Sequence, residues 1–332
     1  MLNTGQFVRR TLIVFAIAVA LLALWQLSGF LVMVFGGLVV AVIIRAGGDL
    51  VARYLPFMQP RWGAMLFVVI AFALLGALSM FTGDEIAKQF GELRERLPEA
   101  IATVRTWLES SEFGRFFMQA FEGAKDEGVS ASDAVKTASA TVGAVSHAFI
   151  VFLIALYLSF GPAPYINGFV ALVPDSLQAD ARAAFEVSGQ ALRGWLLGQG
   201  VAMLAVGVLT YIGLWIAGVP LAFILGIIAG LLEFIPVLGP FLAAIPGLLL
   251  AFTVGPTTAL YALIVYLTVQ QLESIAITPL AQKWSVELPP ALCLFAIVVF
   301  GVLFGIPGMV FATPLTVVLM ALVKRFHTDR PV

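Results

Sequence analysis

LAFILGIIAGLLEFIPVLGPFLAAIPGLLLAFTVG, residues 221–255, decides how this chain folds. The stretch is apolar enough to lie in a bilayer, yet it carries one carboxylate, Glu233, and is interrupted by Pro236, Gly239 and Pro240. The apolar run before the interruption has about fifteen residues, roughly 22 Å of helix, and the run after it is similar. Each half falls short of the roughly 20 residues that a spanning helix needs. The pattern predicts two half-helices that dip into the membrane and return, with their tip at residues 235–240. Irregular backbone at that depth is tolerated only where protein or a water-filled cavity satisfies its polar groups. A broken helix with an acid beside the break therefore points to a solute or ion site near mid-membrane.

Working outward, the whole chain reads as membrane protein. Of 332 residues, 61% are hydrophobic and 11% are charged, where soluble domains carry about 25% charged residues. The net charge of −1 argues against a nucleic-acid partner. The single cysteine, Cys293, lies in an apolar run and reads as a small buried residue, so there is no disulfide framework. Arg9 and Arg10 precede an apolar run without a small-residue cleavage pattern, which reads as a first span rather than a signal peptide.

Residues 12–27 and 30–44 form the first two apolar segments, joined only by Ser28 and Gly29 and ending at Arg45; a short basic connection with Arg45, Arg53 and Arg61 leads to a third span at 62–82. Residues 1–83 are thus an N-terminal membrane region. Composition then changes: residues 84–137 hold eleven of the chain's 19 acidic residues. Ile86, Phe90, Leu93, Leu97, Ile101, Val104 and Leu108 recur at steps of three and four, predicting an amphipathic helical module with one apolar stripe. Pro98 is expected to start a second helix there. Phe113, Phe116, Phe117 and Phe121 continue the apolar face, and 128–132 reads as a turn. The stripe packs either on the module and membrane surface or against neighbouring subunits. Residues 138–160, containing His147, form a fourth span, and 161–194 an interfacial segment broken by prolines. The transport core is expected at 195–330. It has a span at 195–217 carrying Gln199, the broken stretch, and a polar span at 257–278 with Gln270, Gln271 and Glu273 before Pro279. A polar connection with Lys283 and Glu287 follows, and the run 291–323 is interrupted by GIPG at 305–308.

The two broken stretches resemble one another. Gly226 and Gly230 stand four apart before the first break, Gly301 and Gly305 before the second; each second half carries a further proline, Pro246 and Pro314. Placing the N-terminus in the cytoplasm puts Arg9, Arg10, Arg45, Arg53, Arg61, Arg182, Arg193, Lys283, Lys324, Arg325 and Arg330 on the inside, and every other Lys and Arg in the acidic module. This is the positive-inside bias. The hairpin at 221–255 then enters from outside and that at 291–323 from inside, an inverted repeat of the alternating-access type. The expected fold is an all-α polytopic membrane protein with about six full spans, two inverted re-entrant helical hairpins, and the amphipathic module between spans three and four.

Glu233 and Glu273 are the carboxylates expected within the hydrocarbon. An unpaired ionised acid there costs at least ~2.5 kcal/mol, so each must hold partners or carry a proton. A carboxyl that alternates between those states suits proton coupling, and an acid beside free carbonyls suits Na⁺; Glu233 also reads as a structural latch for the break. Gln270 lies three residues before Glu273, on the same helical face. Proline removes a donor and glycine allows positive φ, so carbonyls at both breaks can face a solute. The candidate path is Glu233, Pro236, Gly239, Pro240, Gln270, Gln271, Glu273, Gly305, Pro307 and Gly308, between the two hairpin tips, with Pro246, Pro279 and Pro314 as structural hinges. Two histidines, no HExxH, no phosphate-binding glycine loop and no Cys/His cluster leave little to catalyse with, so no enzyme, metal site or cofactor is expected.

The runs LLEFIPVLGPFLAAIPGLLLAF, QQLESIAITPLAQKWSVELPP and FGIPGMVFATPLTVVL, in that order, resemble the AI-2E family of bacterial transporters. The resemblance implies a multi-pass protein of the inner membrane that exports a small polar signalling metabolite such as autoinducer-2, with a quorum-sensing role. It also implies a homopentamer with an elevator-like moving part. Some members are described as Na⁺(Li⁺)/H⁺ antiporters, which is the alternative function; a passive channel is a third.

Overall fold

In a computed structural model of the protein, residues 11–15, 19, 22, 25–55, 59–110, 148–282 and 288–328 are described, and every regular element among them is helical. The order is α1 (Ser28–Tyr54), α2 (Pro60–Ser110), α3 (Ala148–Phe160), α4 (Pro162–Ala171), a 3₁₀ turn (Asp175–Leu177) and α5 (Gln178–Ile216). Then come α6 (Ala222–Leu232), α7 (Leu238–Val254), α8 (Pro256–Leu272), a π-helical turn (Glu273–Ile277), α9 (Thr278–Gln282) and α10 (Pro290–Val323). Among the described residues, five stretches are long and apolar enough to cross a membrane: Ser28–Tyr54, Arg61–Thr106, Asp175–Ile216, Pro256–Leu280 and Pro290–His327. The pair α3 and α4, bent by 88°, is a sixth candidate. Seven of the sixteen residues of the expected first span, the aromatic positions 113–121, the turn at 128–132, His147, Lys283 and Glu287 lie outside the described residues.

Several expected joints are absent. α1 continues beyond Arg45 to Tyr54, because Gly47 and Gly48 let it lie against α2: a Cβ on Gly48 would meet the Ala64 backbone at 2.6 Å, and one on Gly47 would meet the Phe67 ring. Pro98 starts no helix. It sits inside α2, a single helix of 51 residues. The Glu, Arg, Leu and Ala residues on both sides of Pro98 are strong helix formers, and Glu92–Arg96 (3.5 Å) and Glu85–Gln89 (2.7 Å) pair one turn apart. α5 likewise runs unbroken from Gln178, so continuous helix crosses residues 83–84 and 194–195.

α6 and α7 form an antiparallel hairpin. Ala222, Ile224 and Leu225 near its start share a buried cluster with Leu250 and Ala251 near its end. Gly226 and Gly230 press α6 onto α5, where a Cβ would meet the Gly207 and Met203 carbonyl oxygens at 2.8 and 2.7 Å. α10 is broken at Gly305 (φ 67, ψ −150) and folds back, placing Ala296 and Ile297 with Ala312. The bases of the two hairpins pack at two well-separated levels of α5, one near its C-terminal end and one near its middle. Leu214 joins the base of the first, while Leu192 and Trp195 join Val317 and Leu288 at the base of the second. Leu192 and Leu214 are 22 residues apart, about 33 Å of helix, close to the hydrocarbon thickness of a bilayer.

The stripe on α2 covers the base of the first hairpin within the same chain. Leu93 is buried there with Leu214, Val219 and Leu250, and Ile86 and Leu97 flank it. The Gln89 side-chain oxygen accepts from the Ile224 backbone N–H at 3.2 Å. Phe90 and Ile101 stay exposed.

Candidate functional site

The interruption after α6 is tightly built. Val237 has φ 70 and ψ −54, a strained value for a β-branched residue, and the Leu238 N–H bonds back to the Pro236 carbonyl at 2.8 Å. The Leu231, Leu232 and Ile235 carbonyls also accept backbone bonds, and the Glu233 carbonyl accepts from the Gln199 side-chain amide at 2.6 Å. These carbonyls at the first break, expected to face a solute, are therefore paired within the protein. Gly239 sits so close to Leu232 that a Cβ would collide with its carbonyl oxygen.

Beside this tip lies a cavity of about 500 Å³. α5 contributes Trp195, Gly198, Gln199 and Ala202; the first tip contributes Glu233, Pro236, Val237 and Phe241. α8 and the π-helical turn add Gln270, Glu273, Ser274 and Thr278, and the second hairpin adds Pro290, Cys293 and Thr313 near its base, after Leu288. Glu233 and Glu273 thus share one cavity. The Gln270 amide donates to Glu273, and Thr278 Oγ1 donates to its other oxygen at 3.1 Å. The π-helical turn starts at Glu273, a distortion frequent at functional sites. Glu233 is 2% exposed, and among the described residues its Oε2, Thr210 Oγ1 and Thr313 Oγ1 are buried without a hydrogen-bond partner.

A second, smaller cavity of about 20 Å³ abuts the same acids. It is lined by Thr210, Glu233, Pro240, Tyr266, Gln270 and Glu273 with apolar neighbours. That volume suits one water-sized occupant. Glu233, Gln270 and Glu273 form the wall common to both cavities.

The structure brings together Glu233, Pro236, Gln270 and Glu273, with Pro240 at the small cavity. Gln271 is exposed and lines neither. Gly305 and Pro307 are exposed, and Gly308 is buried against the Phe300 carbonyl, so the second tip lines neither cavity; the arms of that hairpin do instead. Of the expected hinges, Pro246 and Pro314 lie inside continuous helix and Pro279 in the first turn of α9. Gln199, Thr210, Tyr266, Thr278 and Thr313 belong to the site without having been assigned to it from sequence. An amide in an otherwise apolar span was the available signal for Gln199; threonine hydroxyls bond their own helix too often to stand out. No cluster of three or more metal-ligating side chains occurs among the described residues.

Comparison with known proteins fits this architecture. The family model described as AI-2E family transporter matches residues 13–328. The chain belongs to this family. YueF of Bacillus subtilis is 27% identical to this AI-2E transporter over 293 residues, 82% of this chain and 78% of its own. YrrI of the same organism is 32% identical over 155 residues, 47% and 44% of the two chains. A protein of Thermotoga maritima is 26% identical over 327 residues, 93% and 94% of the two. All three carry names that describe transport and give no solute. The AI-2E protein described here is accordingly a multi-helical membrane protein of a transporter family.

Proposed function

We propose that this protein is a secondary transporter of the bacterial inner membrane that exports a small polar metabolite of the autoinducer-2 type by alternating access. The observation that carries the reading is the cavity of about 500 Å³ bounded by both hairpins, with Glu233 and Glu273 on its wall. Its size falls in the range of about 300–1,000 Å³ usual for small-molecule sites. Two short hairpins whose bases pack on α5 at levels about 33 Å apart support re-entry from opposite leaflets.

In this reading the cavity is reached from the side of Trp195, Leu288 and Pro290, the basic and hence cytoplasmic side. The other side is closed by the packed base of the first hairpin under Leu93. Transport exchanges these two conditions by moving the hairpins against α1 and α2 in an elevator-like manner. Glu233 is the gating or coupling acid, and Gln270 and Glu273 line the path. Assembly is homo-oligomeric, a pentamer by the family resemblance.

The small cavity favours a second reading, Na⁺(Li⁺)/H⁺ antiport, because a volume for one small occupant is lined there by two carboxyls, two hydroxyls and an amide. Purified protein in proteoliposomes, given a pH jump with and without Na⁺, separates the two. Solute efflux indifferent to Na⁺ supports the exporter. Na⁺-dependent proton flux without any organic solute supports the antiporter, and unitary currents in a planar bilayer would replace both with a channel.

A further inference from the structure

A groove of about 620 Å³ lies away from the solute cavity, between α1, α2 and α5. Its polarity changes along its length. Val42, Ile43, Leu196 and Leu197 give it apolar walls, and Asp49, Arg53 and Arg193 stand at one end. Ile43 and Arg53 are ten residues apart on α1, about 15 Å of helix, so the gradient runs parallel to the helix axis. On α5, Arg193 precedes Leu196 and Leu197 and repeats the same order. Ala46 and Gly47 admit the Phe67 ring to the groove's lining, and Ile43, Leu50 and Leu197 are exposed.

The charges are unbalanced. Arg193 pairs with Asp49 at 2.5 Å, while Arg53 is exposed and has no ion-pair partner among the described residues. Two guanidiniums against one carboxylate leave one net positive charge at the polar end. A groove between membrane helices with a basic mouth and a hydrocarbon wall matches a lipid whose phosphate carries one uncompensated negative charge. A free phosphate would gain only the charge at the mouth, whereas each acyl CH₂ laid on the apolar walls adds about 0.8 kcal/mol. A zwitterionic headgroup would bring a cation to a carboxylate that Arg193 already occupies.

We propose that this groove binds one anionic phospholipid, its phosphate on Arg53 and Arg193 and its acyl chains against Ile43 and Leu197. The lipid then bridges α1 and α2 to α5, the helix that carries both hairpins.

The test uses the full chain in detergent, titrated with phosphatidylglycerol or phosphatidylcholine of matched acyl chains, with retained lipid counted by native mass spectrometry. Phosphatidylglycerol is expected to bind about fivefold more tightly, the equivalent of about 1 kcal/mol per basic residue at the surface. Arg53→Gln should abolish the preference and Arg53→Lys should keep it. Asp49→Asn, which frees Arg193, should increase it, and this variant keeps the test intact if Arg53→Gln fails to fold. Equal retention of the two lipids by the wild type overturns the proposal, as does an undiminished preference in folded Arg53→Gln. Equally tight binding of glycerol 3-phosphate, which has no acyl chains, assigns the groove to a free anion and overturns it too. So does an intersubunit disulfide formed by Ile43→Cys in native membranes, since a second copy would then fill the groove. None of these residues lines the solute cavity, so failure here leaves the transport reading untouched.

Discussion

The side-chain amide of Gln199 donates a 2.6 Å hydrogen bond to the backbone carbonyl of Glu233, where the first half-helix ends. α5 thus holds the interruption from outside, by a carbonyl the helix itself no longer uses. A buried acceptor left unsatisfied costs about 1–3 kcal/mol. Gln199→Leu is therefore expected to lower the thermal midpoint in detergent, and to lower flux further than the stability loss explains. A melt and a flux both equal to wild type would show that the bond contributes nothing.

Glu233→Gln keeps the shape and volume of the side chain and removes its ability to ionise. Flux in proteoliposomes should fall by at least about tenfold, equivalent to about 1.4 kcal/mol at the barrier. The elution profile and melt should stay as wild type, because Glu233 Oε2 has no hydrogen-bond partner to lose. Undiminished flux would reduce Glu233 to a structural latch.

Gly239 and Gly305 resist substitution for different reasons. A Cβ on Gly239 would strike the Leu232 carbonyl oxygen, whereas one on Gly305 meets nothing within 4 Å but must adopt φ 67 and ψ −150. Gly305→Ala should cost about 1–3 kcal/mol of backbone strain. Gly239→Ala should lose more and open the tip. Paired thermal melts should rank Gly239→Ala below Gly305→Ala; the reverse order would mean that the tip relaxes around the added methyl.

Leu93 is 6% exposed in the cluster that closes the base of the first hairpin. Leu93→Ala should cost about 2–5 kcal/mol, as buried leucine truncations do. Solute leak through the reconstituted protein should rise as this packing loosens. A destabilised variant with unchanged leak would confine Leu93 to a packing role.

The candidate site was legible where the sequence put polarity into apolar runs. Glu233, Gln270 and Glu273 stand out in apolar runs, and the hydrogen bond between the last two follows from their spacing. The interruption at 233–237 was legible because Pro236 follows the last turn of α6, while Gly239 and Pro240 lie in the first turn of α7. Pro98 misled, since one proline among strong helix formers does not end the helix. The second tip misled because the depth at which a hairpin meets its neighbour is set by tertiary packing; Cys293 and Thr313, on the arms, face the cavity while Gly305 does not. Thr313 and Thr316 look alike in sequence, yet Thr316 bonds the Ala312 carbonyl at 2.8 Å and Thr313 bonds nothing among the described residues.

The 51 residues of α2 amount to about 77 Å of helix, more than twice the hydrocarbon thickness. One stiff shaft therefore joins the lipid-embedded part of the molecule to its charged periphery, and it rests on the hairpin base through Leu93 and Gln89. Such a shaft is expected to act as a lever, so that a tilt of its far end would shift the hairpin base that rests on it.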